Sequence, residues 1–179
     1  MKTMHVLLRF LPASALLLTT LFASPASALE VGAQLQNPTI RDANDKPATI
    51  PDFGKKVIAL FYSDPDKADQ MDPMADVLKA ANLDESVYRG VGVANMADTW
   101  LPNSVIRAIV RKKIEKYDAT ILTDPERLLV KAWNLGDCNE KGVLVIVDKK
   151  GKAQYVKKGS MTKAEIDAAL ALVKKLMAE

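Results

Sequence analysis

Six apolar residues, Val57 to Tyr62, run without a break and then give way to the acidic stretch Ser63-Asp64-Pro65-Asp66-Lys67-Ala68-Asp69. A run of that length predicts a strand buried on both faces, at the centre of an α/β sheet. The acidic stretch predicts a turn into a helix, with Asp72 as N-cap and Pro73 at the first helical position. Met71, Met74, Ala75 and Leu78 then recur at helical spacing, which carries that helix to about Asn82. Tyr88 to Ala94 reads as a second strand, with Gly90 and Gly92 marking close backbone approach. Met96 to Asn103 is a loop holding Trp100 and Pro102. Ser104 to Tyr117 is a second helix whose apolar stripe is Val105, Ile106, Ile109, Val110 and Ile114.

The pattern changes again in the second half. Ala119 to Thr123 is a third strand, Arg127 to Trp133 a short helical stretch and Leu135 to Gly142 a loop. Val143 to Val147 is a fourth buried strand, and Asp148 to Gly151 a hairpin turn with Gly151 in the left-handed position. Lys152 to Lys157 returns, and Thr162 with Glu165 three residues on forms a capping box. Ile166, Leu170, Val173 and Met177 carry the closing helix. Ahead of all this, Thr39–Arg41 and Ala48–Ile50 flank a turn-rich segment and predict an opening β-hairpin. The order is hairpin, β-α-β-α-β, then a β-hairpin and a helix. It predicts one α/β domain with a central mixed sheet flanked by helices. In such sheets, sites form where strands end and helices begin. The expected site is therefore the pole made by Ser63–Asp72, Met96–Asn103 and Gly136–Gly142.

Residues 1–28 do not fit this domain. Lys2 and Arg9 are basic, Leu11 to Phe22 is mostly apolar, and Ala26-Ser27-Ala28 has the small-x-small pattern of a signal peptidase site. A secretory signal over 1–28 is expected, leaving a domain of residues 29–179 in the periplasm or medium, with no membrane span after cleavage. The leader carries two basic residues and no acidic one, so the formal charge of +3 falls to +1. Neither that charge nor export suits nucleic acid as a partner.

The single histidine, His5, would leave with the leader, and Cys138 is the single cysteine. Ser-His-Asp and Cys-His catalysis, His-ligated metals, an internal disulfide and a CxxC couple are all excluded for the remaining domain. No catalytic residue, cofactor or metal site is expected. The candidate binding pole consists of Asp64, Asp66, Asp69, Trp100 and Cys138. The acidic turn from Asp64 to Asp72 has oxygens that a hard cation would want. Acids also suit a helix start, where they cap N–H groups and oppose the macrodipole, and this is the expected role. The Asp64-x-Asp66 spacing also matches the nucleophile motif of haloacid-dehalogenase phosphatases, but Lys141 and Asp148 do not supply the later residues such an enzyme needs. Asp137 and Glu140 beside Cys138 disfavour its thiolate, while Lys141 favours it. Trp133 is expected in the core and Trp100 exposed at the pole. Arg107, Arg111, Lys112, Lys113 and Lys116 give the second helix a basic face. A solvated outer face is the expectation, and an acidic partner or lipid headgroups are the functional alternatives.

The residues from Val31 to Tyr62 resemble the opening of a peroxiredoxin or of a TlpA-type thiol-disulfide oxidoreductase. Ile121–Trp133 and Val143–Leu176 resemble their second half. Through the stretch Val147–Ile166, the final helix and the strand Tyr88–Asn95, the chain is similar to the YtfJ family of small exported bacterial proteins. The resemblance implies a thioredoxin-like fold with an N-terminal hairpin. It also shows what is missing: Asp66 and Asp69 occupy the two positions of CxxC, and Gly142 replaces the proline that opens the fourth strand. The expected function is therefore a non-catalytic binding, accessory or regulatory module of the cell envelope, with an envelope protein or small ligand as partner. The alternatives are a one-cysteine redox protein using Cys138 and a cation binder at Asp64–Asp72.

Overall fold

The structure is a computed structural model describing residues 28–179. The expected leader lies outside the described residues apart from Ala28. Seven strands form one mixed sheet in the order β2-β1-β5-β4-β3-β6-β7. They are β1 (Ile40–Arg41), β2 (Pro47–Ala48), β3 (Val57–Ser63), β4 (Tyr88–Asn95), β5 (Ile121–Asp124), β6 (Gly142–Val147) and β7 (Ala153–Lys158). A 3-10 segment, Pro65–Met71, runs into α1 (Asp72–Ala80), and the other helices are α2 (Asn103–Tyr117), α3 (Leu128–Ala132) and α4 (Lys163–Ala178). Strands β3, β4 and β5 are parallel, whereas β6 runs antiparallel to β3 and β7 antiparallel to β6. The opening hairpin is present but short: Ile40 pairs with Ala48, and β1 attaches the pair to β5 through Arg41 and Thr123. Asp42 shapes its turn by accepting from the Asn44 and Lys46 amides.

Alternation along the two central strands divides the core. Ile58, Leu60 and Tyr62 of β3, with Val143, Val145 and Val147 of β6, face a cluster that includes Leu129, Trp133 and Cys138. Val57 and Ala59, with Leu144 and Ile146, face the opposite cluster, where Met71, Met74 and Leu78 meet Ile166, Ala169, Val173 and Leu176 of α4. Burial on both faces is why these strands read as unbroken apolar runs. Trp133 is buried as expected, and its indole N–H donates to the Gln36 carbonyl at 2.6 Å.

Two expectations are corrected. Asp72 is not the N-cap of the first helix: it is the first residue of α1, and the cap position is Met71, with no side-chain bond. The capping acid is Asp64, one helical segment earlier, whose side chain accepts from the Asp66 amide. The chain coils immediately after β3, so the orphan N–H groups arise there. In α2, Ile106 and Val110 are buried, but Val105 and Ile109 face solvent at 43% and 45% exposure. The helix rests on β5, the end of β4 and the hairpin turn along a narrow seam, too narrow to cover the whole stripe.

Gly142, at the start of β6, lies against the 3-10 segment. Its N–H donates to Gln70 Oε1 at 2.9 Å, and its Cα–H faces Met71 so closely that a Cβ there would stand 2.7 Å from Met71 Cγ. Proline would have no N–H for Gln70 and would meet the same obstruction. Gly142→Ala is therefore expected to destabilise the fold by about 1–3 kcal/mol through overpacking. Urea unfolding measures this, and an unchanged midpoint would mean that the β6 entry does not press on Met71.

The capping box of α4 forms as expected, with Glu165 accepting from the Thr162 amide at 2.8 Å and Thr162 accepting from the Glu165 amide. The Lys157 ammonium at 2.6 Å, helped by Thr162, holds the Glu165 carboxyl down at about 2. A carboxyl depressed on folding stabilises above its unfolded value and loses that contribution as pH falls through its folded value. Glu165→Gln should thus lower the thermal midpoint at pH 6, and the gap to the parent should close as pH falls from about 4.5 to about 2. A gap that persists at pH 2 would show that the carboxylate charge contributes nothing.

Candidate functional site

The three parallel strands end in buried polar residues of one kind. Asp64 follows β3, Asn95 closes β4 and Asp124 closes β5, and each is almost wholly buried. Where a parallel strand ends, the chain must leave the sheet and its next N–H groups lose their ladder partners. Asx side chains supply acceptors for these groups at short range. Asp64 Oδ1 accepts from the Asp66 amide at 2.9 Å, and Oδ2 accepts from the Glu140 amide at 2.8 Å. The Asp64 amide in turn donates to the Lys141 carbonyl. Asp124 accepts from the amides of Leu128 and Leu129 at 2.8 and 2.9 Å, and so starts α3. Asn95 accepts from the Ala97 amide and donates to Asp98 Oδ2 at 2.5 Å.

These anchors place three loops around one cavity of about 640 Å³. Ala97, Asp98 and Thr99 form one wall, Arg127 and Val130 a second, and Gly136 to Asn139 a third. Arg127 pairs with Asp98 across the mouth, joining the β4–α2 loop to the start of α3. The Asp98 side chain is buried between Arg127 and Asn95. Lys158 of β7 donates to the carbonyls of Leu135 and Asp137, which fixes the third wall from behind. Asp137 is held below its usual range by the Lys141 ammonium and by the Asn139 amide.

Cys138 lines the cavity but is only 2% exposed, with Sγ 3.5 Å from the Gly136 carbonyl. Burial pushes its thiol up, and the nearby Lys158 charge only partly opposes this. Behind it, Tyr62 donates to Asp124 Oδ2 at 3.3 Å. Burial, and then the Asp124 carboxylate, push the phenol far up, so Tyr62 remains a proton donor across the physiological range.

The five residues singled out by sequence are thus placed differently. Asp64 is buried and occupied by backbone amides. Asp66 and Asp69 are exposed on the 3-10 segment. Cys138 is buried in the cavity wall, and Trp100, 83% exposed, lies just past the Ala97–Thr99 wall. The structure joins the Asp64 turn to the 136–142 loop and joins that loop to the 97–99 loop across the cavity. Asn95, Asp98, Asp124, Arg127 and Lys158 are not among the five. A usable signal was present for two of them: strands β4 and β5 end in Ala94-Asn95 and Thr123-Asp124, as β3 ends in Ser63-Asp64. Among the described residues, no group of three or more His, Cys, Asp or Glu side chains converges to hold an ion.

Comparison with solved structures places this architecture among thioredoxin-like proteins. It is similar to the pneumococcal exposed lipoprotein thioredoxin Etrx1 of Streptococcus pneumoniae, with a TM-score of 0.59 and 17% identity over 79% of this chain and 100% of that one. A peroxiredoxin-like protein of Aquifex aeolicus matches with a TM-score of 0.60 and 12% identity over 84% of this chain and 89% of that one. At these identities the likeness shows the fold alone. Two sequence relatives are an uncharacterised protein of Haemophilus influenzae, 24% identical over 56% of this chain, and the uncharacterised protein YtfJ of Escherichia coli, 25% identical over 58%. The matches span 54% and 56% of those relatives' own lengths. The family described as "Bacterial protein of unknown function (YtfJ_HI0045)" matches across residues 54–176, from the turn before β3 into α4, and the chain belongs to that family.

Proposed function

We propose that this protein is a non-redox, thioredoxin-like binding module of the cell envelope, which receives a segment of a partner protein in the cavity at the sheet's C-terminal pole. The observation that carries the reading is the cavity itself, which is walled by Asp98, Arg127 and Asn139 around a buried thiol. Binding sites of this size are concave and carry a few fixed polar groups. Here Asn95 holds Asp98, Asp124 starts α3 behind Arg127, and Lys158 holds the backbone of the third wall at Leu135. The leader expected at residues 1–28 supports an envelope location.

Chemistry weighs against the enzyme readings. Thiol-disulfide exchange and peroxide reduction need an accessible thiolate. Asp66 and Asp69 cannot supply one, and Cys138 is buried with its thiol pushed up. Asp64 is 1% exposed and each of its oxygens already accepts a backbone N–H, which weighs against attack on phosphorus and against a cation site. One observation favours a thiol function, namely that Cys138 borders the cavity.

Site-specific photocrosslinking in cells tests the binding reading. A crosslinker at Thr99 should give discrete protein adducts, which Arg127→Ala weakens, and one at Lys174 on the outer side of α4 should not. Equal adducts from both positions would contradict it. The thiol is tested separately. The purified protein should show no turnover with insulin disulfides or hydrogen peroxide, and Cys138 should react with a maleimide at pH 7 only after unfolding. Rapid labelling of the folded protein, or turnover abolished by Cys138→Ser, would favour the redox alternative.

A further inference from the structure

We propose that the outer face of α2, together with Trp100, docks this protein on an anionic phospholipid surface. Four observations carry this inference, and none involves the cavity. First, the exposed residues Val105, Ile109, Lys112 and Lys116 recur at spacings of four, three and four, so they form one stripe along the helix. Second, the first half of that stripe is apolar. Val105 and Ile109 are two of the few large apolar side chains exposed among the described residues, and Trp100, the most exposed of them, lies in the loop that leads into the same helix. Third, the second half is cationic. Lys112 and Lys116 lie on the stripe, and Lys113 flanks it. Fourth, the other basic residues of α2 are committed elsewhere: Arg107 pairs with Asp45, and Arg111 donates to the Ala43 carbonyl.

No ion pair among the described residues occupies Lys112, Lys113 or Lys116. Lys116 instead lies 4.9 Å from the ring centre of Tyr117, and Lys79 of α1 approaches the same ring at 5.6 Å, which adds a further positive charge at this end. Glu115 is the one acidic residue of the helix.

A bilayer fits this face better than a folded protein does. The side chains project outward from an exposed helix face. Lysine is depleted from protein interfaces because ordering its long side chain costs entropy. Anionic headgroups require no such fixed geometry, since they attract lysines through a diffuse surface potential. Tryptophan and aliphatic side chains beside lysines are the composition of helices that lie in the membrane interface. Among the described residues, no helix is long and apolar enough to cross a membrane, so the contact would be peripheral.

The test is co-sedimentation of the protein, as recovered from cells, with vesicles of phosphatidylcholine alone or mixed equally with phosphatidylglycerol. Intact mass establishes that all variants share one N-terminus. Binding is expected to the mixed vesicles only and to weaken with added salt. The triple variant Lys112→Glu, Lys113→Glu, Lys116→Glu should bind at least about tenfold more weakly. The protein has two tryptophans, and Trp133 is buried, so a blue shift on binding reports Trp100. Trp100→Phe should abolish the shift, and circular dichroism should show both variants folded. Failure to bind the mixed vesicles, equal binding by the triple variant, or an unmoved Trp100 emission would overturn the proposal. Tighter binding to polyglutamate than to the vesicles would overturn it in favour of an acidic protein.

Discussion

A buried carboxylate governs the pole of this molecule. Asp64 leaves the end of β3 with both oxygens on backbone N–H groups, one from the segment that follows it and one from a loop 76 residues later. Charge-assisted bonds of this kind contribute about 1.5–3 kcal/mol each, and their loss would strand buried amides. The carboxylate therefore does two things at once. It starts the 3-10 segment, and it ties that segment to the loop that carries Cys138. Gln70 and Gly142 make the same join one turn further along.

The join bears on what the pole can do. The segment after β3 carries no cysteine: Asp66 and Asp69 are exposed on it, and the neighbouring Asp64 carboxylate accepts two backbone N–H groups. The concavity lies to one side, between the β4–α2 loop, α3 and the 136–139 loop. In its wall Asp98 is paired to Arg127 and to Asn95. On the proposed binding reading, a preorganised polar wall leaves little to order when a partner arrives.

Much of the fold was legible in the sequence. Buried strands, a capping box, hairpin turns and helical spacing are local signals, and the resemblance to the YtfJ family and to thioredoxin-like proteins agrees with the architecture and with residues 54–176. The pole's three segments could be located because strand ends mark them. What could not be read were the long-range pairings. Nothing local says that Asp64 bonds to Glu140 rather than capping alone, that Asp98 meets Arg127, or that Lys158 supports the loop of Cys138. The acids of the turn looked equivalent in sequence, yet burial separates Asp64 from Asp66 and Asp69. Periodicity likewise set Val105 and Ile109 with Ile106 and Val110, and only the narrow seat of α2 leaves the first two in solvent.

The most direct measurement of this account is amide hydrogen exchange on the parent and on Asp64→Ala. If one carboxylate holds the pole, the amides of Asp66 and Glu140 should lose protection by at least about tenfold beyond any global loss, the 136–142 loop should loosen with them, and β3 and β6 should keep their relative protection. Unchanged protection at Asp66 and Glu140, measured against β6, would contradict it.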